Sequence, residues 1–183
     1  MAETSAYLVA LARLHDRRRF ASYVAQMPPL YARFGGHYLA VSSVAEVEQF
    51  GHGQPGQSVV ISRWPSMTRL QEFWSSGEYR KVAKLRADTG DVVVLGLEAE
   101  PDRAVPKGAR PALALILGPS PSPALFESGG ASALAWVRER DLQVLEGSWG
   151  DDDVALFGFG EISLGRQLLT QLSSGQRGRS LLL

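Results

Sequence analysis

Residues 6–14 read Ala-Tyr-Leu-Val-Ala-Leu-Ala-Arg-Leu, an apolar run of a length that suits one buried strand. Asp16 then offers a helix N-cap. Phe20, Tyr23, Val24, Met27, Leu30, Tyr31 and Phe34 follow at helical spacing and form one apolar stripe. Pro28 and Pro29 fall inside that stripe and predict a kink or a restart, because an interior proline removes a hydrogen bond and crowds the preceding turn. Gly35-Gly36 ends the helix. Residues 37–50 alternate as a strand, with a bulge expected at Ser42-Ser43, and Gly51–Gln57 makes a turn. Ser58–Trp64 returns as a strand. Ser66 caps a helix carrying Met67, Leu70, Phe73 and Trp74. Ser75-Ser76-Gly77 breaks it, and Glu78–Arg86 restarts as a short helix with Tyr79, Val82, Ala83 and Leu85 inward. Asp91–Glu98 reads as a further buried strand.

That order, β-α-β-β-α-β, is the ferredoxin-like unit. Residues 100–111 are polar, hold three prolines and one glycine, and read as a linker. A weaker copy follows over 112–183. Ala112–Leu117 is an apolar strand, and Gly129-Gly130 answers Gly35-Gly36. Gly147 answers Gly53, Val154–Phe159 answers Val59–Trp64, and Ser173-Ser174-Gly175 answers Ser75-Ser76-Gly77. The copy is reduced. A Pro- and Ser-rich stretch, Gly118–Ser128, stands where the first half has a long helix, and nothing resembles Glu78–Arg86. The chain is therefore expected to be α+β, with halves at 5–99 and 112–183. Each would expose one apolar sheet face, and the two are expected to cover each other as an intrachain pseudo-dimer. Pairing of each half with another chain, or a further homodimer, is the alternative.

Composition narrows the function. Nineteen Lys and Arg balance nineteen Asp and Glu, so the formal charge is zero. No basic field exists to release counterions from a nucleic acid or to hold the chain to an anionic membrane. Arg17-Arg18-Arg19 reads as a solvated first helical turn. The absence of cysteine excludes disulfides, thiolate nucleophiles and Cys-based metal sites. With neither a signal-like N-terminus nor a run of 18 apolar residues, the expected location is the cytoplasm.

Several residues of the first half carry a resemblance. Gly35-Gly36-His37-Tyr38-Leu39, Val59-Val60-Ile61-Ser62-Arg63-Trp64-Pro65-Ser66, Phe73-Trp74-Ser75, Glu78-Tyr79 and Arg86, in that order, resemble the domain of unknown function 1330 family of the dimeric α+β-barrel superfamily. The resemblance covers roughly residues 6–98. It departs at Val41-Ser42, where the family usually has an Arg, and near Phe50-Gly51, where it usually has Glu-Gly. The second half carries the complementary elements, Val144-Leu145-Glu146-Gly147 and Trp149.

The candidate chemistry gathers around the last helix of the first half. Tyr79 and Arg86 are seven apart and share a face, Glu78 stands at the helix start, and Arg63 and Trp64 lie on the neighbouring strand. With Tyr38 and Trp74, a Tyr hydroxyl, an Arg fork and aromatic walls suit a small carboxylate- or carbonyl-bearing ligand. Glu78 or Tyr79 is the acid–base candidate if the protein is an enzyme, and no cofactor is called for. The same residues are also explained as core aromatics, a cap and a surface ion pair. His37 becomes a haem ligand only if the resemblance extends to the superfamily's haem-handling barrels; otherwise it is a solvent-facing strand residue. Gly51-His52-Gly53-Gln54-Pro55-Gly56 matches a dinucleotide pattern, but a strand and not a helix follows it, so it reads as a hairpin turn. Asp151-Asp152-Asp153 likewise reads as a turn and not a cation site. Three functions stay open: a binder or cofactor-independent enzyme for a small organic molecule, an interaction module, and a haem barrel.

Overall fold

The computed structural model describes residues 4–52, 56–118, 123–150, 152–173 and 178–183. In the first half, β1 (Ala6–Leu14) leads to α1 (Arg17–Phe34), β2 (His37–Ser42), β3 (Glu48–Gly51), β4 (Ser58–Trp64), α2 (Met67–Ser75), α3 (Gly77–Ala83) and β5 (Gly90–Glu98). The second half holds β6 (Ala112–Leu117), α4 (Pro123–Ser128), β7 (Ser132–Val137), β8 (Gln143–Glu146), β9 (Val154–Phe159), α5 (Ile162–Ser173) and β10 (Arg179–Leu182). The result is a mixed α+β fold with two antiparallel five-stranded sheets, ordered β2-β4-β1-β5-β8 and β3-β10-β6-β9-β7.

Local chemistry sets the element ends. Asp16 accepts from the Arg19 backbone N–H, Ser66 from Arg69 and Ser76 from Tyr79, each satisfying a donor that a helix start leaves orphaned. At the C-terminus of α1, Gly35 sits at φ +81°, and the Gly36 N–H reaches back to the Tyr31 carbonyl. The end of α4 repeats this with Gly130 at φ +82° and an Ala131 N–H on the Phe126 carbonyl.

Several expectations are corrected. Helix α1 runs unbroken through Pro28 and Pro29. Both prolines are exposed, so the carbonyls they leave without a helical donor can turn to water. The stretch 37–50 is two strands. Ser43 donates its backbone N–H and its hydroxyl to the Glu46 carboxylate, a turn that ends β2 and frees β3 to leave for the second sheet. The pairing irregularity lies between Tyr38 and Ala40, ahead of Ser42. At the end of the α3 region Leu85 is exposed and Arg86 turns inward, since the segment Lys84–Arg86 tightens into a 3-10 turn. Gly147 resembles Gly51 in its geometry, and Gly53, its partner by sequence spacing, lies outside the described residues. Gly147 and Gly51 both have φ +79°, and each ends a strand against a neighbour's carbonyl, of Gly178 for Gly51 and of Val92 for Gly147. Residues 53–55 of the glycine motif, Asp151 of the acidic run, Ser174 and Gly175 lie outside the described residues.

Strand alternation sorts the side chains into three apolar layers. Val9, Leu11, Ile61 and Leu95 of the first sheet meet Leu115, Leu117, Leu156 and Leu181 of the second in one core between the sheets. On the outer face of the first sheet, Leu8, Trp64, Leu70, Phe73 and Tyr79 pack with Met27 and Tyr31 of α1. On the outer face of the second, Phe126, Phe157, Phe159 and Leu169 pack with α4 and α5. Residues 100–111 join the halves and lie along the second sheet. The Glu100 N–H donates to the Leu134 carbonyl at 2.7 Å, and the Ile162 N–H donates to the Arg110 carbonyl at 2.9 Å.

Candidate functional site

A cavity of about 400 Å³ lies between α1 and the outer face of the first sheet. Its floor is Leu8, Ala10, Ala12 and Leu14 of β1, flanked by Val60 of β4 and by Val92 and Val94 of β5. The alternating positions of β1 carry alanine at 10 and 12, so the floor is low there and α1 cannot descend to fill it. Tyr23, Met27 and Tyr31, successive turns of the α1 stripe, form the roof, and Phe73 and Trp74 close one wall. The walls are mostly apolar, with Ser42, Ser43, Glu46 and Ser58 also among the lining residues.

A buried polar cluster surrounds Arg86, whose guanidinium lines the cavity although the residue is only 8% exposed. It grips both carboxylate oxygens of Glu146, one of them at 2.6 Å. Its Nη2 also donates to the Tyr79 hydroxyl at 3.1 Å, and its Cζ lies 5.3 Å from the Tyr23 ring centroid. Burial raises the Tyr23 phenol, against the pull of the Arg86 charge beside it. Burial opposes the Arg86 charge, but the Glu146 hydrogen bonds and the neighbouring Tyr79 outweigh it and hold the guanidinium firmly protonated. Glu146 belongs to β8, the strand that the second half lends to the first sheet. The Trp74 indole N–H, bonded to the Leu145 carbonyl at 3.1 Å, ties α2 to that same strand.

A second polar pair stands at the other side. Tyr31 and Tyr38 stack with centroids 4.3 Å apart, and the Ser62 hydroxyl lies 3.4 Å from the Tyr31 oxygen. Burial raises the Tyr31 and Tyr79 phenols well above their ordinary range and pushes Tyr38 up to about 12. These hydroxyls are neutral at physiological pH and serve as hydrogen-bonding groups.

The residues singled out from sequence therefore divide. Tyr38, Trp74 and Arg86 line the cavity, and Tyr79 lies directly behind Arg86. Trp64 is buried beneath Gly36, its indole N–H on the Ser62 hydroxyl at 3.0 Å, and belongs to the packed core. Arg63 is half-buried and donates to the Ser5 hydroxyl at 3.0 Å, away from the cavity walls. Glu78 is exposed in an ion pair with Arg33. His37 is exposed and stands opposite Arg63 on the sheet. Sequence reasoning missed Tyr23 and Tyr31 as cavity groups and Glu146 as the partner of Arg86. The first two were visible as the α1 stripe, and Glu146 as part of a Glu-Gly pair, but nothing in the sequence says that β8 crosses to the other sheet. Among the described residues, no three His, Asp or Glu side chains converge as a metal site. In the acidic run, Trp149 donates to the Asp152 carbonyl and Asp153 accepts from the Glu139 backbone N–H, bonds that organise a turn.

On the second sheet, aromatic side chains pack over the matching strand pair. Tyr38 pairs with Ser62 across β2 and β4, and Ala133 pairs with Phe157 across β7 and β9. Phe126, above them, stacks on Phe157 at 4.1 Å, and Phe50 packs into the same apolar layer.

The sequence pattern described as a domain of unknown function (DUF1330) matches residues 5–99, more than half of the chain and nearly all of the segment that builds the cavity. The chain belongs to the DUF1330 family. No curated protein matches it. Among solved structures, a protein of unknown function from Rhodopseudomonas palustris is 21% identical over 54% of this chain and 84% of its own, with a TM-score of 0.46. A "putative monooxygenase" from Lactobacillus acidophilus is 8% identical, covers 99% of this chain and 94% of its own, and gives a TM-score of 0.52. A protein of the same description from Fusobacterium nucleatum gives 8% identity and a TM-score of 0.51 over the full chain and 93% of its own. The last two show that the DUF1330 domain and the residues after it together follow one barrel-like fold. No described helix is long and apolar enough to cross a membrane.

Proposed function

We propose that this DUF1330 protein binds a small, largely apolar organic molecule bearing a carbonyl or carboxylate group, in the cavity between α1 and the first sheet. The observation that carries the reading is a buried guanidinium in a mostly apolar wall. A cavity of about 400 Å³ falls in the ~300–1,000 Å³ range of small-molecule sites, which are mostly apolar with few convergent polar groups. Arg86 and Tyr23 orient the polar end of the ligand, Tyr79 holds Arg86, and Trp74 and Tyr38 enclose the apolar body. In this reading Glu78, Arg63 and Trp64 have no direct contact with the ligand, and His37 holds no haem.

The second half acts as scaffold. Its sheet covers the inner face of the first, its β7–β9 pairing repeats the register irregularity of β2–β4, and its strand order mirrors the first. These features support an intrachain pseudo-dimer in which the first copy holds the ligand cavity.

Trp74 forms part of the cavity wall, so a bound aromatic ligand is expected to quench or shift tryptophan fluorescence. Titration of the purified protein with 2-acetonaphthone is expected to saturate, and Arg86→Leu is expected to weaken binding about tenfold, on the scale of a lost charge-assisted hydrogen bond. Unsaturable quenching, identical in the variant, would refute the reading. Two neighbours of the same fold carry the name monooxygenase, and a search for a product one oxygen heavier after incubation in air tests whether that chemistry extends here.

A further inference from the structure

Arg86 stands between two compartments. One face lines the largely apolar cavity. The other meets Glu146, which lines an open cleft formed by the ends of β1 and β5 and the residues after β8. The Glu146 side chain is 36% exposed, against 8% for Arg86, so the ion pair is wet on the carboxylate side and dry on the guanidinium side. Because both carboxylate oxygens are engaged, the charge that Arg86 brings to the cavity is already balanced before any ligand enters. A carboxylate entering would leave water for an apolar site and find no net positive charge to compensate it. A ketone or a hydroxyl loses far less hydration and can still accept from the guanidinium edge or exchange a hydrogen bond with the Tyr23 hydroxyl.

We propose that Glu146, contributed by the second half, sets the selectivity of the first-half cavity for a neutral carbonyl- or hydroxyl-bearing ligand over a carboxylate. Glu146 is a positioning residue here, acting through Arg86 without touching the ligand. The inference rests on the reading of this cavity as a ligand site and narrows its ligand class. It also gives the borrowed strand a function, since the carboxylate that balances Arg86 arrives on β8.

The test uses a matched pair of probes, 2-acetonaphthone and 2-naphthoate, which share an aromatic body and differ in charge. Binding to the full chain is followed by tryptophan fluorescence at neutral pH. The native protein is expected to prefer the ketone by about tenfold or more. Glu146→Gln, which keeps the side-chain shape and removes the charge, is expected to tighten naphthoate binding by about tenfold while changing the ketone less than about threefold. Tyr79→Phe, which loosens Arg86 without altering the charge balance, is expected to move both probes together, and this separates charge balance from simple positioning. Equal affinity of the native protein for the two probes overturns the proposal, as does an equal shift of both probes in Glu146→Gln; in both cases the ketone still binds and the cavity reading stands. Binding of neither probe to the native protein overturns the cavity reading and the selectivity with it. Should Glu146→Gln fail to fold, the native preference and the response of Glu146→Ala decide between the same outcomes.

Discussion

At the scale of single residues, burial governs the chemistry of the tyrosines. The Tyr38 phenol is pushed up to about 12, chiefly by burial and further by Tyr23, against a hydrogen bond with Tyr31 that lowers it. Tyr31 and Tyr79 are raised as well, again by burial first. In the unfolded chain these phenols lose their protons near pH 10. A folded-state pKa above the unfolded one means that the native state holds its proton longer. The stabilisation is therefore complete below about pH 10 and is lost as the pH rises towards and past 12. Urea midpoints measured from about pH 8 upward are expected to hold until about pH 10 and then fall, and Tyr38→Phe should make the fall shallower; a midpoint that rises with pH would contradict this. Tyr38, Tyr79 and Arg86 could be picked from the sequence because a seven-residue spacing and a strand-start aromatic are local facts. Glu146 could not, because its value depends on a partner sixty positions away in the chain.

At the scale of elements, two glycines hold the site's frame. A Cβ at Gly36 would lie 2.7 Å from the Trp64 ring, which is itself fully buried and has no room to retreat. Gly36→Ala is expected to cost roughly 1–3 kcal/mol, the usual penalty of overpacking, read as a lower denaturant midpoint with an unchanged slope. Gly147 closes β8 at φ +79°, and a Cβ there would meet the Val92 carbonyl oxygen at 2.6 Å. Gly147→Ala is expected to loosen the β5–β8 pairing, with faster amide exchange along β8, and so to reduce the preference of the cavity for ketone over carboxylate. Most helices and strands were legible from apolar periodicity and from the caps at Asp16, Ser66 and Gly35. The misplacements share a cause. Exposed prolines in α1, the Ser43–Glu46 turn and the inward Arg86 all depend on which side of an element faces water, and local pattern does not record that.

At the scale of the molecule, each sheet is completed by an edge strand from the other half, β8 for the first and β3 for the second. Leu97, Ile61 and Leu11 of the first sheet are buried only because the second sheet lies over them. A fragment spanning residues 1–110 would expose that face and lack β8, and it is expected to associate with itself, giving at least twice the monomer mass in light scattering; a stable monomer would refute the intrachain pairing. Glycine spacing suggested a repeat, whereas the exchange of strands between the sheets left no mark in the sequence, since it is a long-range choice between sheet edges. That exchange has a bearing on how the chain comes off the ribosome. Until residues 143–146 emerge, the first sheet has an open hydrogen-bonding edge, and β3 has nothing to pair with until residues 179–182 have been made. A nascent chain that folds as it is made would thus hold unpaired strand edges for much of its synthesis, the stage at which a holdase would be needed most.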